Sequence, residues 1–503
     1  MGARPNILFL FSDQHAQRIA GCYGDPLGAT PNIDRLAARG VTFDNAYCAS
    51  PICTPSRMSL LTGRWPHQQS CWTLQDTLAS DLPTFAHALG AAGYRTILVG
   101  RMHSIGPDQL HGYAERDIGD CGPNWLGVER QKLGVLGGTQ GPSPPDAEGR
   151  ALSISRSGSG QSGYEVVDDA TTEAAIARLD ELGAAGEDAP PFCLTVGFIL
   201  PHCPFVARGP DYARFAGRVG PPRLPPPPAD REHPWHAKWR AHAATVDADP
   251  DDVIRARTAY WGLVSALDAK IGRILDRLEV LGLSENTLVV YASDHGEQIG
   301  EHGLWWKNTF YEDSVKVPLV MAAPGLLPEG GRCGRIVNLI DIGATLIEAA
   351  GAPPLPRSHG RSLLEIARAP DGPWVDETWS EYVTDLLSVW TGPEAVCQRM
   401  LRTARWKYVH MEGYRAQLFD MAADPDELND LGADPAYAEV RATLSARVLA
   451  GWDPDAIRRE VDARCEEKRL LEAWGSRTRP KSTAQYLIRD EDSWLDDLPA
   501  QRL

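Results

Sequence analysis

The sequence predicts an α/β protein: a large, mostly parallel sheet sandwiched by helices, followed by a smaller C-terminal α+β subdomain with an antiparallel sheet. Two observations lead to this prediction. Through most of the chain, short apolar runs typical of buried strands alternate with amphipathic runs typical of helices, as in parallel sheets covered on both faces. After about residue 375, short strand-like runs follow one another without intervening helices, which indicates an antiparallel sheet.

The strands of the large sheet are predicted from short apolar runs bounded by turn residues. These runs are 6–12, 41–47, 94–100, 192–200, 287–293 and 317–324. Helices are predicted where apolar residues recur at helical spacing, and one has Thr30 as a plausible N-cap and Pro31 at the first helical position. The predicted helices are 30–40, 82–93, 166–183 and 252–281, together with a short one that follows Cys53 and ends at Gly63.

The change of pattern divides the chain into three regions. Residues 1–372 form the predicted catalytic domain, residues 373–453 the subdomain with the small sheet, and residues 454–503 a charged, partly helical tail. We expect the tail either to fray or to dock on a neighbouring subunit. Two segments rich in Gly, Ser or Pro, 138–163 and 220–230, are predicted as loops that serve either as lids or as flexible surface connections.

Composition and charge narrow the class of function. The formal net charge is −17, from 50 basic and 67 acidic residues, which disfavours nucleic acids and membranes as partners. An anionic substrate would need local cations or a metal to overcome this repulsion. The ten cysteines contain no CxxC pair and are expected to be reduced thiols. The N-terminal run lacks a signal-peptide cleavage site, which predicts a cytoplasmic protein.

Polar side chains follow four of the predicted strands, at the point where each strand ends. They are Asp13, Gln14, Arg101, His103, His202, Asp294 and His295. Each alone has an ordinary explanation, such as a turn cap or a solvated side chain. Open parallel sheets bind ligands outside the carboxyl ends of their strands, so the joint pattern predicts a polyvalent site at this edge.

The residue types suggest a chemistry for this site. Asp13 and Asp294 are hard oxygen donors that suit one divalent cation, and the side chains of Gln14 and His295 can add an oxygen and a nitrogen. His103 and His202 are candidates for proton transfer. Positive charge would come from Arg57, Arg101 and Lys307.

The stretch CTPSRMSLLTGR, residues 53–64, resembles the signature of the type I sulfatases, which belong to the alkaline phosphatase superfamily. GRMHSIGPDQLHGY (100–113) is most similar to that family's choline sulfatase and phosphonate monoester hydrolase branch. Other stretches are similar to further motifs of the family over about residues 5–432. They are GYRTILVGRMH (93–103), PHCPF (201–205), SDHGEQIGEHG (293–303), YEDSVKVP (311–318) and LFDMAADPDELNDL (418–431).

The resemblance implies that Cys53 is oxidised after translation to formylglycine, by a formylglycine-generating enzyme that reads the C-x-P-S-R segment. One hydroxyl of the hydrated aldehyde would attack sulfur and displace the alcohol. The second hydroxyl would then lose its proton and expel sulfate by C–O cleavage, which regenerates the aldehyde. A sulfate ester of an ordinary serine could not release sulfate by this route.

The resemblance also implies a role for each matching position. Asp13, Gln14, Asp294, His295 and modified Cys53 would hold the metal; Arg57 and Arg101 would hold the hydrate and the sulfuryl oxygens; His103 would be the base for the elimination; His202 and Lys307 would act at the leaving oxygen.

Two positions depart from the common family pattern. Arg101 stands where many sulfatases have lysine, which leaves reach and proton transfer there open. His295 stands where many have asparagine, and a nitrogen ligand widens the expected metal from Ca²⁺ towards Mn²⁺. The phosphonate branch shares this histidine but often lacks the serine present here as Ser56, so sulfate esters are favoured.

We therefore expect a hydrolase of a small-molecule aryl or alkyl sulfate monoester, arylsulfatase-like, that forms a homodimer or homotetramer through its tail. Two alternatives stay open. One is a phosphonate monoester or phosphodiester hydrolase on the same scaffold. The other is a non-catalytic anion-binding protein in which Cys53 stays a thiol. A quaternary ammonium substrate would call for an aromatic and carboxylate pocket, and the sequence places none of the 15 tryptophans at the site.

Overall fold

The computed structural model describes residues 4–128, 133–142, 145–186, 188–385, 387 and 394–496. Its strands are β1 Asn6–Asp13, β2 Val41–Tyr47, β3 Arg95–Gly100, β4 Glu115–Asp117, β5 Gly158–Gln161, β6 Phe192–Pro201, β7 Val206–Ala207, β8 Thr287–Ser293, β9 Leu319–Ala322, β10 Gly331–Asn338, β11 Glu377–Val383, β12 Cys397–Thr403, β13 Trp406–Met411, β14 Gln417–Asp420 and β15 Trp494–Leu495.

The helices surround these strands. They are α1 Pro31–Ala38, α2 Cys53–Thr62, α3 Pro66–Gln69, α4 Phe85–Ala91, α5 Leu152–Ser155, α6 Gly163–Ala184, α7 Gly209–Phe215, α8 Pro234–His242, α9 Pro250–Val280, α10 Glu312–Val315, α11 Ile340–Ala350, α12 Leu364–Arg368, α13 Ala438–Leu449 and α14 Pro454–Thr478.

An eight-stranded sheet forms the centre of the protein, in the order β10-β2-β9-β8-β1-β6-β3-β4. Only β9 runs antiparallel to its neighbours β8 and β2 among the described strands of this sheet. In the register of β1, Ser12 lies opposite Ser293 and Asp13 lies opposite Pro201. The ends of β1, β6 and β8 therefore meet at one edge, and the predicted mostly parallel sheet is confirmed.

Alternate side chains of β1 pack into two hydrophobic cores, one on each face of the sheet. Phe9 and Phe11 pack into one cluster, whereas Leu8 and Leu10 pack into another that includes Leu267 of α9. All of these side chains are fully buried. A strand buried on both faces has to be apolar throughout, which is why the run at residues 7–11 shows no polar alternation.

The C-terminal subdomain contains the predicted antiparallel sheet, in the order β11-β12-β13-β14. Helix α13 covers one face, where Leu444 and Val448 pack against Leu401, Tyr408 and Leu418. The small sheet thus has its own apolar core, as the change of sequence pattern predicts. The exact boundaries of the three predicted regions stay predictions.

Several elements differ from the sequence prediction. Strands β4 and β10 were not predicted, and neither was the three-stranded sheet β15-β5-β7. The predicted loop 138–163 includes α5 and β5, and Thr30 makes no side-chain capping bond at the start of α1. The predicted loop 220–230 packs against the C-terminal subdomain. Arg223 of this loop donates two hydrogen bonds of 2.8 Å to the carboxylate of Asp426.

The C-terminal tail docks on its own chain. Lys468 of α14 is buried and lies 2.8 Å from Asp76 and 2.7 Å from Asp385. Beyond α14, residues 479–496, called the strap below, cross the large domain, and β15 pairs with β5. The expectation of a frayed tail is therefore wrong for residues 454–496, whereas docking on a second subunit stays a prediction.

Gly197 of β6 offers a test of how tightly the edge of the sheet is packed. A Cβ on Gly197 would lie 1.8 Å from the carbonyl oxygen of Arg101, which follows β3. We expect Gly197→Ala to push these strands apart and to lower the free energy of unfolding by about 1–3 kcal/mol. Urea unfolding measures the change. Gly334→Ala in β10, with no atom within 4 Å, is the control, and equal losses in both would contradict the prediction.

Candidate active site

Four side chains meet at the carboxyl edge of the large sheet. They are Asp13, Cys53, Asp294 and His295, all buried, and their ligand atoms lie within 4.8 Å of one another. The Cys53 thiol lies 3.6 Å from Oδ1 of Asp13 and 3.1 Å from Nε2 of His295. The same imidazole nitrogen is 3.5 Å from Oδ1 of Asp294. The structure thus brings together four of the residues that the sequence singled out.

The local fold explains this meeting. Because β1 and β8 are adjacent and parallel, Asp13 and Asp294 leave the sheet side by side. Cys53 is the first residue of α2, and the Ser56 hydroxyl one turn on donates to the carbonyl oxygen of Asp294 at 2.6 Å. That bond ties the first turn of α2 to the end of β8. The positive end of the helix dipole consequently faces the site, which favours a bound anion.

Gln14 completes the cluster from the end of β1. Its backbone N–H donates to Oδ1 of Asp294 at 3.0 Å. Its side-chain amide nitrogen donates to the carboxylate of Glu297, so its amide oxygen points the other way and accepts from Nζ of Lys307. The Glu297 carboxylate therefore orients the Gln14 side chain so that its amide oxygen faces Lys307.

The donor set fits one divalent cation. It offers two carboxylates and an amide as oxygen donors, and one imidazole nitrogen, all buried close together. Hard oxygen donors suit Ca²⁺, and the nitrogen of His295 is compatible with Mn²⁺. The residues that would hold the cation are Asp13, Gln14, Asp294 and His295, with position 53 beside them.

Arg57 lies behind the two aspartates. Its Nε donates to Asp294 at 2.8 Å and its Nη2 donates to Asp13 at 3.1 Å, while Nε of Arg101 donates to Asp13 at 2.7 Å. Burial alone would raise the pKa of Asp13, but Arg101 and Arg57 hold that pKa well below its usual value. Asp13 accordingly stays a carboxylate, and the place of Arg57 favours holding the aspartates over touching a substrate.

Arg101 and His103 lie next to each other at the end of β3. Nη2 of Arg101 lies 3.0 Å from Nδ1 of His103 and donates to it. An imidazole that accepts at Nδ1 is neutral, and this is the state that a general base requires. Nδ1 of His103 can accept a proton when its hydrogen bond from Arg101 is broken.

His202 and Lys307 form a second buried pair. Nδ1 of His202 donates to the carbonyl oxygen of Cys203 at 2.6 Å, and its Nε2 lies 3.0 Å from Nζ of Lys307. Burial and the Lys307 charge lower the pKa of His202 well below its usual value. Burial also acts to lower the pKa of Lys307, yet the nearby Cys53 and Asp13 raise it overall. The positive charge of the pair therefore sits on Lys307.

A cavity of about 330 Å³ opens above these groups. Cys53, Arg101, His103, His202 and Lys307 line its floor. Its walls come from the segment around Trp125, from Tyr164, whose ring packs edge-on against His202, and from Glu472 and Ile488 of the tail. The tail thus contributes to the wall, as does part of the predicted loop 138–163, whereas the 220–230 loop lies elsewhere.

Three buried carboxylates support the site and were missed by the sequence reasoning. Glu297 orients Gln14, and Asp120 accepts from the backbone N–H of His103. Asp168 of α6 accepts from the N–H groups of Ile199 and Leu200, just before His202. Since the last two act on backbone amides of distant elements, no spacing in the sequence signals them.

The comparisons with known proteins identify the class. A family model described as Sulfatase matches residues 5–352, and one described as N-sulphoglucosamine sulphohydrolase, C-terminal, matches residues 300–451. The first match spans well over half of the chain and includes all of the clustered residues. The protein belongs to the sulfatase family of the alkaline phosphatase superfamily, which confirms the resemblance seen in its motifs.

Individual relatives agree with this assignment. A choline-sulfatase from Rhizobium meliloti (strain 1021) is 33% identical over 488 residues, covering 92% of this chain and 90% of its own. The multifunctional alkaline phosphatase superfamily protein PehA from Trinickia caryophylli is 28% identical over 508 residues, covering 89% and 95%. The phosphonate monoester hydrolase of Agrobacterium radiobacter shares the fold, with a TM-score of 0.71, 24% identity and coverage of 91% and 96%.

Within the ranges that the structure describes, no helix combines the length and the apolar character needed to cross a membrane.

Replacing Arg57 tests its support of the aspartates. Lysine keeps the charge but cannot reach two carboxylates with a planar fork, so Arg57→Lys should lower the free energy of unfolding by about 2–3 kcal/mol. Chemical denaturation measures the loss. The control is Arg35→Lys, at an exposed pair with Asp276 2.5 Å away, where less than about 0.5 kcal/mol is expected. If Arg57→Lys lowers the free energy of unfolding as little as Arg35→Lys does, the supporting role of Arg57 is wrong.

Proposed function

We propose that this sulfatase-family enzyme hydrolyses sulfate monoesters, with a formylglycine at position 53 and one divalent metal. The observation that carries the proposal is the position of Cys53, between the metal-ligand cluster and a cavity floor made of Arg101, His103, His202 and Lys307. This arrangement supports attack by residue 53 on an anionic group bound in the cavity.

The state of the thiol argues against an unmodified cysteine as the nucleophile. Burial and the neighbouring Asp13 carboxylate raise the pKa of the Cys53 thiol to about 12. The thiolate, which is the nucleophilic form of cysteine, is therefore scarce at neutral pH. An unmodified Cys53 would be a poor nucleophile here, whereas a hydrated aldehyde offers two hydroxyl groups. A bound cation would supply Lewis acidity, lowering the pKa of a coordinated hydroxyl and offsetting charge.

Each cavity residue has a definite task in this proposal. Arg101 and Lys307 attract the sulfuryl oxygens and hold the ester over position 53. The Lys307 ammonium, paired with neutral His202, supplies a proton to the departing alcohol oxygen. Nδ1 of His103 accepts the proton of the second hydroxyl, so that the C–O bond can break and sulfate can leave. Overall, the ester and water give an alcohol, sulfate and a proton.

Arg57 has a different task from the one that the family resemblance implies. Its fork is occupied by Asp13 and Asp294, so we propose that it orients these carboxylates and leaves the sulfuryl group to Arg101 and Lys307. It also places a positive charge one turn into the helix that begins with Cys53.

A phosphonate monoester or phosphodiester hydrolase is the second candidate. His295 favours it, because the phosphonate branch carries histidine at this position, and PehA is a multifunctional relative. Ser56 favours sulfate. For the alcohol, Trp125 and the half-buried Glu472 on the cavity wall supply the aromatic ring and carboxylate that a quaternary ammonium group prefers. Choline sulfate therefore belongs in the substrate panel, as the name of the Rhizobium meliloti relative also suggests.

The other proposals concern the setting of the enzyme. We propose that the protein works in the cytoplasm and forms a homodimer or homotetramer through its tail, where Leu470, Leu471 and Trp474 of α14 are exposed apolar residues. The formylglycine-generating enzyme would act on an unfolded chain, because in the folded protein Cys53 is 2% exposed and Arg57 is fully buried.

Mass spectrometry tests the maturation. The peptide containing position 53, from protein made in its native host, should have the mass of an aldehyde or its hydrate in place of a thiol. Folded, unmodified protein should stay unmodified when a formylglycine-generating enzyme is added, and should be converted only while unfolded. A thiol in the native-host protein would remove the catalytic proposal.

Steady-state kinetics test the reaction. With an aryl sulfate, an aryl phosphonate and choline sulfate compared under the same conditions, we expect the highest kcat/KM for a sulfate ester. Cys53→Ala should lower kcat for every substrate by at least about 10²–10³-fold, since the attacking group is gone. A higher kcat/KM for the phosphonate would select the second candidate. Undiminished activity of Cys53→Ala would exclude position 53 as the nucleophile.

A further inference from the structure

Asp120 is a buried carboxylate that faces the same side of the cavity as the proposed base. It is 4% exposed, and its two oxygens lie 3.2 and 3.1 Å from the backbone nitrogen of His103. Its Oδ1 is also 3.8 Å from Nη1 of Arg101, and its Oδ2 accepts from Arg116 at 2.8 Å. One carboxylate therefore contacts the base, the adjacent cavity arginine and a second arginine.

The backbone at His103 needs such a restraint. Its φ of 57° lies in the left-handed region, which residues with a Cβ adopt only when the surrounding structure holds them. The N–H of His103 is the group that Asp120 accepts from, so the carboxylate stabilises this conformation directly. A relaxed backbone would swing the imidazole away from Arg101 and from position 53.

The other partner of Asp120 is itself well anchored. Nη1 of Arg116 donates to the carbonyl oxygen of Gln109 at 2.7 Å and to its side-chain oxygen at 2.9 Å, and Nη2 donates to Gly100 at 3.2 Å. Asp120 is thus held against a fixed arginine on one side while it holds His103 on the other.

The strap braces Asp120 from behind. The N–H of Tyr486 donates to the carbonyl oxygen of Asp120 at 3.0 Å, and Gln485 pairs with Asp120 in a parallel bridge. A Cβ on Gly119 would lie 1.2 Å from the carbonyl oxygen of Ala484, so the two backbones touch where only glycine fits. Ile488 packs beside Cys121 in the next contact along the strap.

We propose that Asp120 is a positioning residue that holds His103 and Arg101 for the reaction, and that the C-terminal strap keeps Asp120 in place. This inference rests on the proposed function, because it assigns Asp120 to the same reacting groups. It also means that residues of the strap take part in forming the active site.

The test compares two variants of Asp120 with a matched control. Asparagine keeps one oxygen that can accept from His103, whereas alanine keeps none. Asp120→Ala should therefore lower kcat about 10²-fold, with KM changed less, and Asp120→Asn should recover part of that loss. The control is Asp268→Asn, a buried aspartate that accepts from the N–H groups of Asn32 and Ile33 at α1, and it should leave kcat unchanged.

A further variant separates the strap from the carboxylate. Gly119→Ala retains Asp120 but forces the strap away, so it should lower kcat in the same direction as Asp120→Ala. Gly334→Ala, which meets no atom within 4 Å, is the control for the added methyl group. Normal kcat in Gly119→Ala, together with a displaced strap in hydrogen exchange, would overturn the role of the strap.

Amide hydrogen exchange reads the position of His103 without turnover. The peptide covering residues 101–106 should lose protection in Asp120→Ala and regain part of it in Asp120→Asn. Unchanged exchange there, or a kcat within about threefold of the wild type in Asp120→Ala, would overturn the inference. If the wild-type enzyme cleaves none of the esters, the proposed function fails by that result, and the exchange data still decide whether Asp120 holds His103.

Discussion

The rest of the site depends on the contact of Arg57 with Asp13 and Asp294. Two neighbouring carboxylates in a protein interior repel each other and lose hydration, so without compensation at least one would take up a proton. The guanidinium groups of Arg101 and Arg57 hold the pKa of Asp13 low, and Arg57 also fixes the direction of both carboxylates. Because the same helix begins with Cys53, one element places both the counter-charge and the residue that is proposed to react.

The floor of the cavity places two cations in a protein that is acidic overall. The chain carries a net charge of −17, yet Arg101 and Lys307 line the cavity floor. At physiological ionic strength, surface charges are screened beyond about 8 Å, whereas buried cations act on a bound anion at short range with little screening. Capture of an anion therefore depends on these few buried groups, and the acidic surface mainly affects its approach.

The sequence was informative where the chemistry lies at the end of a strand. Asp13 and Asp294 directly follow apolar runs, so their meeting at one edge could be predicted from sheet topology, as could the small C-terminal sheet. The role of Asp120 could not be predicted, because it accepts from the backbone N–H of His103. The left-handed backbone conformation of His103 is not signalled by its residue type. The docking of the strap was also beyond prediction, since β15 has two residues and pairs with a strand more than 300 positions away.

The long sequence separation between Cys53 and the strap has a consequence in time. The wall that includes Ile488 is synthesised well after Cys53. At 5–20 residues per second, roughly 20–90 s separate the synthesis of these two parts. During that interval the CTPSR segment lies in an incomplete domain, where the proposed modifying enzyme could reach it. Synthesis and docking of the strap would end this access, so under the proposed maturation the order of translation would separate the modification of Cys53 from activity.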